Sequence, residues 1–206
     1  ETGVKILHTS DWHLGKQILR HSILAEQANF LNWLSEVIAN QKVDLLIIAG
    51  DLFDTKRPPT QALRLYFDFL KQVLDLCEVI VLGGNHDSGP FLEAPEKLLT
   101  HKYPLHLCGQ FSESPQDHHI IINDVLFTLL PYFKAQDLYR WHPEKPNEAL
   151  SQLFPLPEAQ FKVLVGHHVF GDGHQEGYMW LEKNNHIEFS QIAKRIQRVK
   201  DEIEEN

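Results

Sequence analysis

The chain has 206 residues, 43% of them hydrophobic, and a formal net charge of −9. That is apolar material for one core, with too little chain for a second domain of any size. No apolar run reaches the roughly eighteen residues of a membrane span. The acidic balance also excludes the basic coat by which proteins grip a phosphate backbone unaided. A nucleic-acid substrate would need bound cations or a basic partner to supply much of the attraction.

Two further counts bear on compartment and chemistry. The two cysteines, Cys77 and Cys108, lie in apolar surroundings, which fits reduced core thiols in a cytoplasmic protein better than a disulfide framework. The thirteen histidines are the anomaly, since ordinary usage would give a domain of this size about five. Residues 1–3 (Glu-Thr-Gly) read as a cloning scar, and the chain then enters an ordered-looking strand with no basic or apolar leader.

In chain order, residues 4–9 (VKILHT) form a short β-branched and apolar run, read as a buried strand. Residues 23–40 place Ile23, Phe30, Leu31, Leu34, Val37 and Ile38 at helical spacing. Residues 44–50 (DLLIIAG) are a continuous apolar run ending at glycine, typical of a strand buried on both faces. Residues 60–76 read as a second amphipathic helix entered through Pro58-Pro59, and residues 78–83 (EVIVLG) as a third buried strand. Strand, helix, strand, helix, strand predicts an α/β fold with right-handed crossovers. Further on, residues 118–130 read as a hairpin turning at Asn123-Asp124, and residues 161–166 (FKVLVG) as another buried strand. Residues 134–160 read as helix plus loop. The tail from Phe189 reads as a helix of mixed charge with Ser190 as its N-cap.

Four segments put ligand-type side chains at the C-terminal ends of predicted strands, where the loops of open α/β sheets converge on one crevice. They are Asp11-Trp12-His13, Gly50-Asp51-Leu52-Phe53-Asp54, Gly84-Asn85-His86-Asp87 and Gly166-His167-His168. A lone Asp-x-His is ordinarily a surface loop, and a lone Asn-His-Asp can be a turn. Four in order, each after an apolar strand, leave little room for that reading. The four strands are expected to be neighbours in one sheet. Oxygen and imidazole donors without cysteine suit Mn²⁺, Fe²⁺, Zn²⁺ or Mg²⁺.

The series DxH, GDxxD, GNHD and GH resembles the calcineurin-like metallophosphoesterases. The flanking residues ILHTSDWHLGK, IIAGDLFDTKRPP and GGNHDS are similar to the SbcD nuclease branch of that family, closely over residues 4–100 and more loosely to His168. The resemblance implies a layered α/β sandwich with a central mixed β-sheet flanked by helices. It implies two divalent metal ions, Mn²⁺ foremost. Asp11 and His13 would hold one, Asp51 would bridge, and Asn85 and His167 would hold the other, with His168 as the alternative to His167. His86 would be the catalytic histidine, oriented by Asp54, while Asp87 would hold the turn. The implied activity is two-metal phosphodiester hydrolysis on DNA, in repair or recombination. The implied partners are DNA, an SbcC-type coiled-coil ATPase whose usual docking region is not evident here, and a second copy in a homodimer.

The family's last motif, GHxH, is not found. His186, in Asn185-His186-Ile187-Glu188, and His174 are weak substitutes. Either the chain stops before that motif or other ligands complete the site, and truncation is the favoured expectation. Residues 4–189 are thus expected to form one metallophosphoesterase (nuclease) domain, incomplete at its last motif, followed by a C-terminal helix over 190–206. Two alternatives stand beside the nuclease: a phosphatase or nucleotide phosphodiesterase of the same chemistry, and a catalytically weak metal-binding scaffold.

Overall fold

A computed structural model of the chain describes residues 3–99, 102–112, 114–134, 157–168 and 178–182, together with Asp137, Arg140 and Glu144. The first half runs through β1 (Ile6–Thr9), the small hairpin β2 (Gln17–Ile18) and β3 (His21–Ser22), α1 (Leu24–Gln41), β4 (Leu45–Ala49), α2 (Thr60–Val73) and β5 (Glu78–Leu82). The short helices α3 (Gly89–Glu93) and α4 (Glu96–Leu99) then lead to β6 (Leu105–Cys108). A 3-10 turn at Pro115–His118 opens the second half, followed by β7 (His119–Ile122), β8 (Val125–Leu130), β9 (Phe161–Gly166) and β10 (Tyr178–Glu182).

The layered α/β sandwich is present, with its strands divided between two sheets. β1, β4, β5 and β6 form a parallel sheet in the order β1-β4-β5-β6. β10, β9, β8 and β7 form a second, mixed sheet in which only β8 and β9 run parallel. The alternation of side chains along a strand explains why β4 is apolar throughout. Leu46 and Ile48 face one core with Val79, Val81 and residues of α1 and α2, among them Leu34, Ile38, Tyr66 and Phe69. Leu45, Ile47 and Ala49 face the other way, with Ile80 and Leu82, and meet Phe127, Leu129, Val163 and Val165 of the second sheet.

The expectation that all four ligand-bearing strands are neighbours needs correcting. β1, β4 and β5 are neighbours, but β9 belongs to the second sheet. Helices join the first three strands and enforce parallel pairing, whereas β9 pairs with β8, whose inner face is apolar and stacks on the parallel sheet. His167 therefore reaches the other three loops across the sandwich.

Local signals account for most boundaries. α1 buries Gln27, Leu31, Leu34 and Ile38 and ends at Lys42, in the left-handed region at φ 51°, where the Val43 N–H closes onto the Ile38 carbonyl at 3.1 Å. α2 buries Ala62, Tyr66, Phe69, Leu70 and Val73 on one stripe. The β7–β8 hairpin turns at Asn123 and Asp124, at φ 48° and 63°, the pair of positive values a type I′ turn requires. Cys77 and Cys108 are free and buried, and burial pushes the Cys77 thiol up to about 11. Among the described residues no helix is long and apolar enough to cross a membrane. The expected helix over 190–206 and most of 134–160 lie outside the described residues.

Candidate metal centre

Parallel strands send all their C-terminal ends to one rim, so the loops after β1, β4 and β5 emerge side by side. The Asp-x-His spacing has a packing reason. Trp12 points into the core, in edge contact with Phe69 at 5.2 Å and Phe30 at 6.0 Å. Its flanking residues Asp11 and His13 are held on the opposite side. Asp11, His13 and Asp51 sit at φ 58°, 44° and 51°. Each left-handed non-glycine residue costs of order 1 kcal/mol or more and persists only where its surroundings enforce it.

The enforcement is a set of backbone bonds. The N–H groups of Asp11, His13 and Leu14 donate to the carbonyls of Gly50, Asp51 and Leu52 at 3.0, 3.0 and 2.9 Å. From α1, the buried Gln27 side chain donates to the carbonyls of Trp12 (3.0 Å) and His13 (2.8 Å) and accepts from the Gly15 N–H (3.1 Å). The Asp87 carboxylate accepts from the N–H groups of Leu52, Phe53 and Gly84 at 3.1, 2.9 and 2.9 Å, locking the GNHD turn to the Asp51 loop. Burial raises the Asp87 carboxyl and the Asp51 charge adds to this, while the three donors oppose it. Two glycines make the approach possible. A Cβ at Gly50 (φ 90°) would overlap the His167 ring, and one at Gly84 would overlap the Asp51 carboxylate.

Asp51 sits at the middle, fully buried. Its Oδ1 accepts the His86 N–H at 2.9 Å and lies 3.5 Å from His167 Nε2. Its Oδ2 faces His13 Nε2 at 3.6 Å and His86 Nε2 at 4.0 Å but accepts no hydrogen bond. Burial pushes the Asp51 carboxyl up. The bond from His167, the His86 N–H and the two imidazoles outweigh this and leave it below its ordinary value. His167 Nδ1 lies 2.8 Å from the Ala49 carbonyl. A carbonyl only accepts, so Nδ1 carries the hydrogen and Nε2 is turned to Asp51 and to Asn85 Oδ1, 3.2 Å away. Burial lowers the His167 value, but Asp51, the Ala49 carbonyl and Asp11 outweigh it and raise the imidazole. Both directions favour the charged forms of the pair, an environment that would also favour a bound cation.

A buried carboxylate oxygen without a donor is costly unless something positive sits against it. Ligand atoms of Asp11, Asp51 and His167 lie within 4.8 Å of one another, as do those of His13, Asp54 and His86. The donor set is oxygen and imidazole only. On these grounds the residues fit divalent cations.

The remaining assignments divide. Asp54 meets His86 through its carbonyl, 2.9 Å from Nδ1, while its carboxylate faces His13 Nδ1 at 3.4 Å. The expected contact of Asp54 with His86 is thus made by the backbone, because the loop presents its carbonyl to that ring. His168 turns away from the cluster, with Nε2 2.9 Å from the Pro131 carbonyl. His174 and His186 lie outside the described residues. Gln27 is the positioning residue that the motifs missed. The signal was available, since a glutamine stands on the stripe Gln27, Leu31, Leu34, Ile38 that α1 buries.

Comparison with known proteins gives the family. The chain is 39% identical over 114 residues to the SbcD subunit of nuclease SbcCD from Bacillus subtilis (strain 168), covering 54% of this chain and 29% of that protein. It is 48% identical over 86 residues to the same subunit from Escherichia coli (strain K12), covering 41% and 22%. The Staphylococcus saprophyticus protein matches at 28% over 179 residues, 80% of this chain and 46% of that one. The chain therefore spans less than half the length of these relatives. The calcineurin-like phosphoesterase family matches residues 4–197, nearly the whole chain, and the chain belongs to that family.

Proposed function

We propose that the chain hydrolyses DNA phosphodiester bonds with the help of two divalent cations, Mn²⁺ foremost. The single observation that carries this reading is the buried Asp51 carboxylate, with one oxygen free of hydrogen bonds and His13, His86 and His167 converging on it. Asp11, His13 and Asp51 would hold one ion, and Asp51, Asn85 and His167 the other. Bound there, the cations would acidify a water and neutralise charge on the phosphoryl oxygens.

The chain's own residues do the rest. Asp51 and its backbone clamps fix the ligand loops before substrate arrives, so no reorganisation is needed during the reaction. His86 stands at the exposed lip of the cluster, with 43% of its side chain accessible. Its Nδ1–H is committed to the Asp54 carbonyl, so the proton it can deliver to a leaving oxygen sits on Nε2. The nuclease reading is drawn from the names of the relatives. By the same resemblance we propose an SbcC-type ATPase as partner and a homodimer as the assembly.

The test is cleavage of a single-stranded oligonucleotide with Mn²⁺, beside bis-p-nitrophenyl phosphate and a phosphomonoester. Mn²⁺-dependent cleavage of the oligonucleotide, lost in Asp51→Asn, is expected. Turnover of the monoester alone would favour the phosphatase, the reading to which the chain's acidic charge lends weight. Bound metal without turnover of any substrate would leave a scaffold.

A further inference from the structure

The rim that carries the Asp51 centre also carries a group of rings with no part in that centre. Phe111 follows β6, Tyr132 and Phe133 follow β8, and His168 follows β9, so each leaves the C-terminal end of a strand. They form one continuous set: Phe111 to Phe133 at 5.2 Å, Phe133 to His168 at 4.1 Å, and Tyr132 stacked on His168 at 5.5 Å and 17°. Each ring is part-exposed.

The set is held from beneath and tied to the centre. The buried His118 lies 4.7 Å from Phe111, with Nδ1 2.8 Å from the Leu129 carbonyl and Nε2 3.1 Å from the Ser112 N–H. His168 directly follows His167, and the Tyr132 N–H donates to the Gly83 carbonyl at 2.8 Å, next to the glycine that packs against Asp51. Ring positions and ligand positions are therefore fixed relative to each other by backbone.

We propose that this aromatic shelf stacks a nucleobase of the strand whose phosphodiester lies at the Asp51 centre. The inference rests on the phosphodiesterase reading and adds the part of the substrate that the shelf holds. Charge points to the occupant. A chain of net charge −9 lacks a basic coat for a polyanion, whereas a base has a π-face that rings grip without charge and irrespective of sequence. A base is also the one apolar, planar group that a nucleic acid carries beside its phosphate.

The experiment compares a short single-stranded DNA with an abasic oligomer of equal length, for the wild type, Tyr132→Leu and Phe133→Leu, in Mn²⁺. The wild type should prefer the base-bearing strand in kcat/KM by about tenfold or more, the usual scale for one stacked base. Both variants should lower that ratio toward one, with melting temperatures confirming their fold. Quenching of a 2-aminopurine-labelled strand by the wild type gives a second readout that needs no variant. Equal use of both oligomers by the wild type, without quenching, would overturn the shelf and leave the phosphodiesterase standing. Hydrolysis of neither oligomer would overturn both.

Discussion

The side-chain amide of Gln27 donates to the carbonyl of His13 at 2.8 Å, and through it a helix holds the loop that carries two candidate ligands. Gln27→Leu keeps the volume but strands the Trp12 and His13 carbonyls and the Gly15 N–H. Unsatisfied buried groups cost about 1–3 kcal/mol each. The variant should melt lower and also show a smaller rise in melting temperature on adding Mn²⁺. A lower melting point with an unchanged Mn²⁺ response would limit Gln27 to the fold.

Asp51→Asn should separate metal binding from stability. The amide oxygen can still accept the His86 N–H, and the substitution removes a buried charge, so the metal-free protein should melt at or near the wild-type temperature. The stabilisation that a ligand gives to the folded state grows with its concentration over its Kd. That rise should vanish in the variant, with calorimetric binding lost at both positions. Unchanged Mn²⁺ stoichiometry would refute a bridging carboxylate.

His86→Ala should keep metal and lose turnover. Removal of a general acid usually costs about 10²–10⁴ in rate. A p-nitrophenolate leaving group needs no proton, so the loss on that substrate should be much smaller than on DNA. Equal losses on both would make His86 a phosphate-positioning residue.

Gly50→Ala tests how closely the two sheets must approach. The added methyl meets the His167 ring and requires a left-handed alanine, and strain of this kind costs about 1–3 kcal/mol. A melting point well below wild type, with weakened Mn²⁺ binding, is expected. A variant as stable as wild type would mean that β9 can shift without loss.

The parts of this molecule legible in its sequence were those governed by local rules. The apolar runs before Asp11, Asp51 and Asn85 became β1, β4 and β5, and Asn123-Asp124 turned a hairpin because both residue types tolerate positive φ. β6 was missed because its four residues, with His106 among them, give no clear alternation. The turn between β2 and β3 has Leu19 and Arg20 at φ 50° and 69°, and neither residue type signals such a turn. The place of β9 depends on which apolar faces stack, a long-range matter. The same holds for Asp54, where the sequence names the residue but only the folded loop decides whether carbonyl or carboxylate meets His86.

The central claim is that the Asp51 cluster is a two-cation centre, and anomalous diffraction at the Mn edge tests it most directly. With the donors proposed above, one position would have two carboxylates and an imidazole (Asp11, Asp51, His13), and the other would have one carboxylate, an amide and an imidazole (Asp51, Asn85, His167). A peak is predicted at the first position at low Mn²⁺, and at millimolar Mn²⁺ a second against Asn85 and His167, both within reach of Asp51. Two full peaks at low metal, with His174 or His186 among the ligands, would contradict the predicted order of filling. No peak beside Asp51 at any Mn²⁺ concentration would contradict the centre itself.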